Sequence, residues 1–304
     1  MMLTDRVQLV RCCRTCARSL VLLLTVVHSG ILAAQTGQGN EIIKFSLHDK
    51  YLIVVQATVN GQGPFRFLLD TGSTHTVIDP SLARQLLVPV IGKASLTTVS
   101  DVRQDRLARL KEVRLGEFAS VSELGAVIDK MDQVKLKAPG VRGVLGEDFL
   151  SQFDLLIDYK KREIRLDGTA PAGERCRIET TGHYHGSPTT NRLLIDVEFT
   201  DVSGGKAQLQ LDTGAKLPEL FPARGDEILS RRWAGSMAFN SGPNGTSIHP
   251  HATLRVGTTV VRELDVIQSR RGVAFDAAGL LPAFIFDRIY ISHTGGYVVL
   301  NPAN

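Results

Sequence analysis

Apolar residues gather along this chain in short runs separated by glycine-rich or charged breaks. Tyr51 to Val59 reads YLIVVQATV, an apolar stretch of strand length. It is followed by a break around Gly61-Gln62-Gly63 and a second run ending in Phe67-Leu68-Leu69. Leu193 to Phe199 repeats the first run, and after Ser203-Gly204-Gly205 the residues Ala207, Leu209 and Leu211 alternate with polar ones. That alternation is the period of a half-buried strand. The later stretches LLIDYKKREIRL and FIFDRIYISHTGGYVVL also read as strands. The pattern predicts a chain that is mostly strand.

The runs belong to a larger repeat. KYLIVVQATVNGQGPFRFLLDTGS (Lys50 to Ser73) aligns without a gap on RLLIDVEFTDVSGGKAQLQLDTGA (Arg192 to Ala215), at an offset of 142 residues. Gly143-Val144-Leu145-Gly146, followed by a short helix-like stretch, is matched later by Gly279-Leu280-Leu281-Pro282. Between the halves, Asp167 to His183 is rich in turn formers and charge. We therefore expect an N-terminal lobe over 40–168, a linker over 169–186 and a C-terminal lobe over 187–304.

Each half carries one Asp-Thr-Gly at the end of an apolar strand, and an acid there is costly to bury unless something holds it. Half a site per lobe makes a whole site if a pseudo-twofold axis brings Asp70 and Asp212 together. Two adjacent carboxylates cannot both ionise cheaply, so the pair would share one proton. One can then draw a proton from a water while the other protonates a carbonyl, which is general acid–base hydrolysis without metal, cofactor or covalent intermediate. Gly72 and Gly214 would allow tight turns with N–H groups aimed at the carboxylates, and Thr71 and Thr213 would brace the two loops. The plainer alternative is that both motifs are tight turns after strands, with Asp chosen for its turn chemistry.

At these residues the sequence resembles the aspartic proteases, and within them the retropepsin-like branch. DTGSTHTVID follows the pattern Asp-Thr-Gly, three residues, Thr-Val, an aliphatic and an acid, and Val144-Leu145-Gly146 matches the family's hydrophobic-hydrophobic-Gly element. The likeness runs from about Ile42 to Leu300 as two fused copies. It implies an all-β, mainly antiparallel, bilobal pepsin- or retropepsin-like fold with two pseudo-symmetric lobes, catalytic Asp70 and Asp212, and Thr71, Gly72, Ser73, Thr213 and Gly214 in support. A flap hairpin over a peptide cleft is also implied. Ser95 to Arg106 is the flap candidate, and Leu107 to Gly116 is assigned to strand because a hairpin is expected there. Three features depart from the pattern. Pro282 stands where Gly146 does, Lys216 to Phe221 does not repeat Thr-Val-Ile, and neither lobe has a flap tyrosine at an obvious place. Ser73 is matched by Ala215, so a Ser73 hydroxyl donating to Asp70 would leave the shared proton more often on Asp212. Family members with Ala there imply an optimum shifted toward neutral pH. A catalytically weak or inactive peptide- or ligand-binding protein on the same fold is the alternative to an endopeptidase.

Composition narrows the partners. Hydrophobic residues make up 43% and charged residues 22% of the 304 positions, so the chain is ordinary globular material. Of the net charge of +4, Arg6, Arg11, Arg14 and Arg18 against Asp5 place three before residue 19. The near-neutral remainder gives no footprint for nucleic acid. Those arginines precede SLVLLLTVV and the small-residue end Ala33-Ala34, the pattern of a signal peptide over 1–34. The apolar part is short for a membrane span. The expectation is an exported protein, periplasmic or secreted, with an uncleaved membrane tether as the alternative. Cys12, Cys13 and Cys16 lie in the leader, which leaves Cys176 alone and no internal disulfide. The pairs His183/His185 and His249/His251 are read as loop residues rather than a metal site, His75 as a neighbour of the cleft, and Asn244-Gly245-Thr246 as a turn signal. With both halves in one chain the expected state is a monomer, its partner a peptide or protein substrate of unspecified sequence.

Overall fold

A computed structural model of the chain describes residues 41–97, 102–117, 119–180, 183–184, 187–188, 192–201, 205–221, 239–242, 246–269 and 277–301. The stretch 1–34, expected to be a leader, lies outside them, as do the tip of the flap candidate (98–101), His185, Asn244 and Gly245. The fold is all-β and mainly antiparallel, with three short α-helices among the described residues. No described helix is long and apolar enough to cross a membrane.

The repeat in the sequence is a repeat in topology. In the first half, seven strands lie in the order Leu52–Val59, Gln62–Leu69, Gly143–Leu145, Thr76–Ile78, Ala119–Ile128, Val102–Leu115 and Val90–Thr97, with Ser46–His48 added beside Leu52–Val59. In the second half the order is Leu194–Phe199, Gly205–Asp212, Gly279–Pro282, Glu219–Leu220, Thr259–Gln268, Thr246–Val256 and Phe239–Gly242. Each series has a further pairing of its first strand with its long hairpin, Ala57↔Leu115 in one and Phe199↔Leu254 in the other. The stretch Leu107 to Leu115 is strand, as expected, within the hairpin Val90–Thr97/Val102–Leu115.

Local chemistry explains the turns and registers. Val59 pairs with Gln62 across Asn60-Gly61, and both turn residues have positive φ, 51° and 73°. This is the Asn-Gly hairpin turn whose twist suits antiparallel strands. The strand that ends at Leu69 then lies parallel to Gly143–Leu145, and in the second half Leu211 and Asp212 lie parallel to Leu281 and Pro282. These central strands are buried on both faces, as parallel pairs require. Phe67 and Leu69 enter the main core, while Leu68 points into a second apolar cluster with Leu52, Val54, Val77 and Val144. Gly143 is fixed by this packing, because a Cβ there would meet the Phe67 ring at 2.1 Å.

A third sheet joins the halves. Its order is Ile42–Lys44, Glu163–Leu166, Leu155–Asp158, Arg288–Ser292, Tyr297–Leu300 and Cys176–Arg177. The central pairing, Leu155↔Ile291 through Asp158↔Arg288, is made by one strand from each half. The main core runs through this sheet, from Ile157 and Ile164 to Ile289, Ile291 and Val298.

Candidate active site

The two Asp-Thr-Gly loops meet. Asp70 follows the strand Gln62–Leu69, with its N–H bonded to Leu145 O at 3.0 Å, and Asp212 closes the strand Gly205–Asp212. Thr71 Oγ1 donates to Leu211 O (2.9 Å) and accepts from Thr213 N (3.1 Å). The mirror set is Thr213 Oγ1 to Leu69 O (2.8 Å) and Thr71 N to Thr213 Oγ1 (3.0 Å). All four bonds are buried and cross between loops, so each threonine holds the other loop's strand.

The glycines bring the carboxylates together. A Cβ on Gly72 would lie 2.4 Å from Asp212 Cγ, and one on Gly214 would lie 2.9 Å from Asp70 Oδ1. Each carboxylate therefore rests against the opposite glycine, where no side chain fits. Each also accepts from the glycine of its own loop, Gly72 N to Asp70 Oδ1 at 2.9 Å and Gly214 N to Asp212 Oδ1 at 2.6 Å. The two carboxyl groups thus lie close enough to interact directly.

Burial pushes both acids above the ordinary carboxylate range. Asp212 is raised well above it, first by burial and then by the negative charge of Asp70, against the N–H bonds from Gly214 and Ala215. Asp70 is raised by burial too, but the bond from Asp212 and the N–H groups of Gly72 and Ser73 pull it back. The pair thus retains one shared proton, with the bonds donated to Asp70 pulling it back toward its charged form.

The route to that asymmetry corrects one expectation. The Ser73 hydroxyl donates to His75 O at 2.7 Å, not to Asp70; Ser73 serves the acid through its backbone N–H. The hydroxyl closes the turn that carries the chain back under the loop, where Ser73 O accepts from Glu147 N at 2.8 Å. Gly146 is needed at that crossing, since a Cβ would meet His75 O at 2.5 Å. In the second half Pro282 takes this place, and the stretch after Gly214 carries an exposed Lys216 before the strand Glu219–Leu220, the counterpart of Thr76–Ile78. His75 is half-buried, its Nδ1 enclosed without a hydrogen-bond partner among the described residues. His249 and His251 turn to separate partners, Gln268 at 3.2 Å and Glu263 at 2.5 Å. No group of His, Cys, Asp and Glu among the described residues is placed to hold a metal ion.

Residues 55–149 match the aspartyl protease family model. The matched segment starts in the strand Leu52–Val59, contains Asp70 and ends in the helix Glu147–Leu150, before the second Asp-Thr-Gly. No curated protein matches the chain.

Beside the matched pattern, the site uses residues that the sequence did not flag. Gln210, wholly buried, donates from Nε2 to Gly72 O (3.1 Å) and Thr71 O (3.4 Å), and Arg192 Nη1 donates to its Oε1 at 3.3 Å. The position matching Gln210 in the first half is Leu68, so this support runs one way, from the second half to the first loop. Asp148 accepts from the Thr76 N–H and hydroxyl, at 2.8 and 2.7 Å, and pins the start of the Thr-Val-Ile strand. The only hint of Gln210 in the sequence was a polar residue in an otherwise alternating strand, which normally means a solvated face.

Proposed function

We propose that this protein is an aspartic endopeptidase in which Asp70 and Asp212 activate one water for attack on a peptide carbonyl. The observation that carries this reading is the buried placement of the two carboxyl groups against each other's glycine, each at the end of an equivalent strand and held by the crossed threonines. In the reaction Asp70 takes a proton from the attacking water as its oxygen bonds to the carbonyl carbon, and Asp212 gives its proton to the carbonyl oxygen. The resulting diol breaks its C–N bond as Asp70 returns the proton to the amine and a diol hydroxyl reprotonates Asp212. The cross-bonded threonines keep both acids in register throughout, with no reorganisation at the moment of reaction. The retropepsin-like character of the loop rests on Thr76-Val77-Ile78-Asp79 and Gly146.

The same proposal includes export of the mature chain to a periplasmic or extracellular space, supported by the leader pattern. It also includes action as a monomer on peptide or protein substrates, since one chain supplies both acids. Incubating the purified mature protein with a denatured protein mixture across a wide pH range tests it. Asp70→Asn and Asp212→Asn should each lower cleavage by about 10²–10⁴-fold, the usual worth of a positioned acid or base. Wild-type protein that cuts nothing at any pH would turn the reading toward a binding protein on this fold.

A further inference from the structure

The third sheet carries a residue of the second half beneath the first loop. His293, in the turn after Arg288–Ser292, meets Glu147, the first residue of the helix Glu147–Leu150, with Nε2 and Oε2 3.0 Å apart. Their side chains are only 4% and 1% exposed. His293 Nδ1 lies 2.6 Å from Phe153 O. A carbonyl oxygen only accepts, so Nδ1 carries a hydrogen, and in the neutral ring Nε2 is left as an acceptor. The bond to Glu147 then requires one proton between the two groups, either on the carboxyl facing a lone pair or on Nε2 facing a carboxylate.

That bond stands one residue from the acid loop. The Glu147 N–H holds Ser73 O, and Glu147 Oε1 is buried without a hydrogen-bond partner among the described residues. The turn bearing His293 is fixed by Asp154, which accepts from Tyr290 Oη, Ser292 Oγ and Thr294 N at 3.1, 2.9 and 3.1 Å. In the second half the residue after Pro282 is Ala283, so the position matching Glu147 carries no acid.

We propose that Glu147 and His293 are a proton-sharing positioning pair that holds the Asp70 loop from below and couples its own proton to those of Asp70 and Asp212. This rests on the acid-pair reading above. The titratable groups facing the pair are Asp70 from the loop, Asp148 from the same helix and Asp154 from the segment entering the third sheet, with His75 beyond Asp148. Burial raises Glu147, and the charges of Asp148 and Asp70 raise it further. Burial alone would lower His293, but its bond to Glu147 and that residue's charge outweigh it and raise it. Both directions describe a pair that keeps its proton, helped by the charge on Asp70. By linkage the pair's own negative end strengthens the hold of the two aspartates on theirs.

Two measurements test this. The titration of the His293 imidazole can be followed by NMR, with His293→Gln assigning its signal. Asp70→Asn, which removes the facing charge, should move the His293 midpoint downward by about half a unit or more, a shift well within what a nearby charge produces. Glu147→Gln keeps an amide donor for Nε2 but cannot exchange the proton. It should leave the melting temperature close to wild type and move the acidic limb of the pH–rate profile to lower pH. A His293 midpoint unmoved by Asp70→Asn, or a Glu147→Gln profile superimposable on wild type, overturns the proposal. If nothing is cleaved by any form while His293 still responds to Asp70→Asn, the coupling stands and the peptidase reading falls.

Discussion

A carboxylic acid kept protonated by its surroundings leaves a trace in stability as well as in chemistry. Asp212 binds its proton more tightly folded than unfolded, so between the ordinary carboxylate range and its raised folded value the native state holds more protons. Stability must therefore fall as pH rises through that window. Asp212→Asn removes the term. The variant should melt above wild type at neutral pH and match it once the solution is acidic enough to protonate a free Asp, as calorimetry across pH would show. At this scale the two aspartates, glycines and threonines were legible, because the internal repeat places them in equivalent positions along the chain. The Ser73 hydroxyl was not, since its choice of acceptor depends on where His75 O lies, a matter of chain path rather than residue type. Gln210 was hidden for a related reason. Polar residues alternate along an ordinary strand, and only the cross-chain distance to Gly72 O separates this one from its solvated neighbours.

Among the elements, the helix Pro80–Gln85 shows how much one side chain can organise. Asp79 caps it, accepting from Leu82 N and Ser81 Oγ, both at 2.6 Å, and its other oxygen takes Arg142 Nε at 2.9 Å, from the loop leading into Gly143–Leu145. Burial works against its charge, but these bonds outweigh it and hold the carboxyl below its usual range. Asp79→Ala should cost about 2 kcal/mol, a lost cap plus a lost charged hydrogen bond. Because Asp79 is depressed, its contribution is complete above the ordinary Asp range and disappears as pH falls through the folded value. The variant's denaturant midpoint should accordingly vary less than wild type between neutral and acidic pH. Strands were readable from their period and hairpins from glycine-bearing breaks, although the first turn falls on Asn60-Gly61 and not around Gly61-Gln62-Gly63, where the glycines drew it. Parallel pairing beside each Asp-Thr-Gly was not, since nothing in an apolar run states which neighbour it will take.

For the molecule as a whole, the joint between halves is a sheet and not a hinge. Leu155–Asp158 and Arg288–Ser292 pair edge to edge, and Ile157 and Ile289 lie in one core. Residues 41–168 produced alone would present an open strand edge and an uncovered apolar face. We expect neither 41–168 nor 187–304 to unfold cooperatively by circular dichroism, and residues 41–304 together to give a single transition. That sheet was beyond the sequence, because its central partners stand more than a hundred residues apart and share no motif. The crossed threonines carry a further consequence. Where two duplicated segments touch nothing in common, each can accumulate its own changes, as the stretch from Lys216 to Leu220 has done relative to its counterpart. At Thr71 and Thr213 an alteration in one copy strands a carbonyl in the other, so these positions can be rewritten only together.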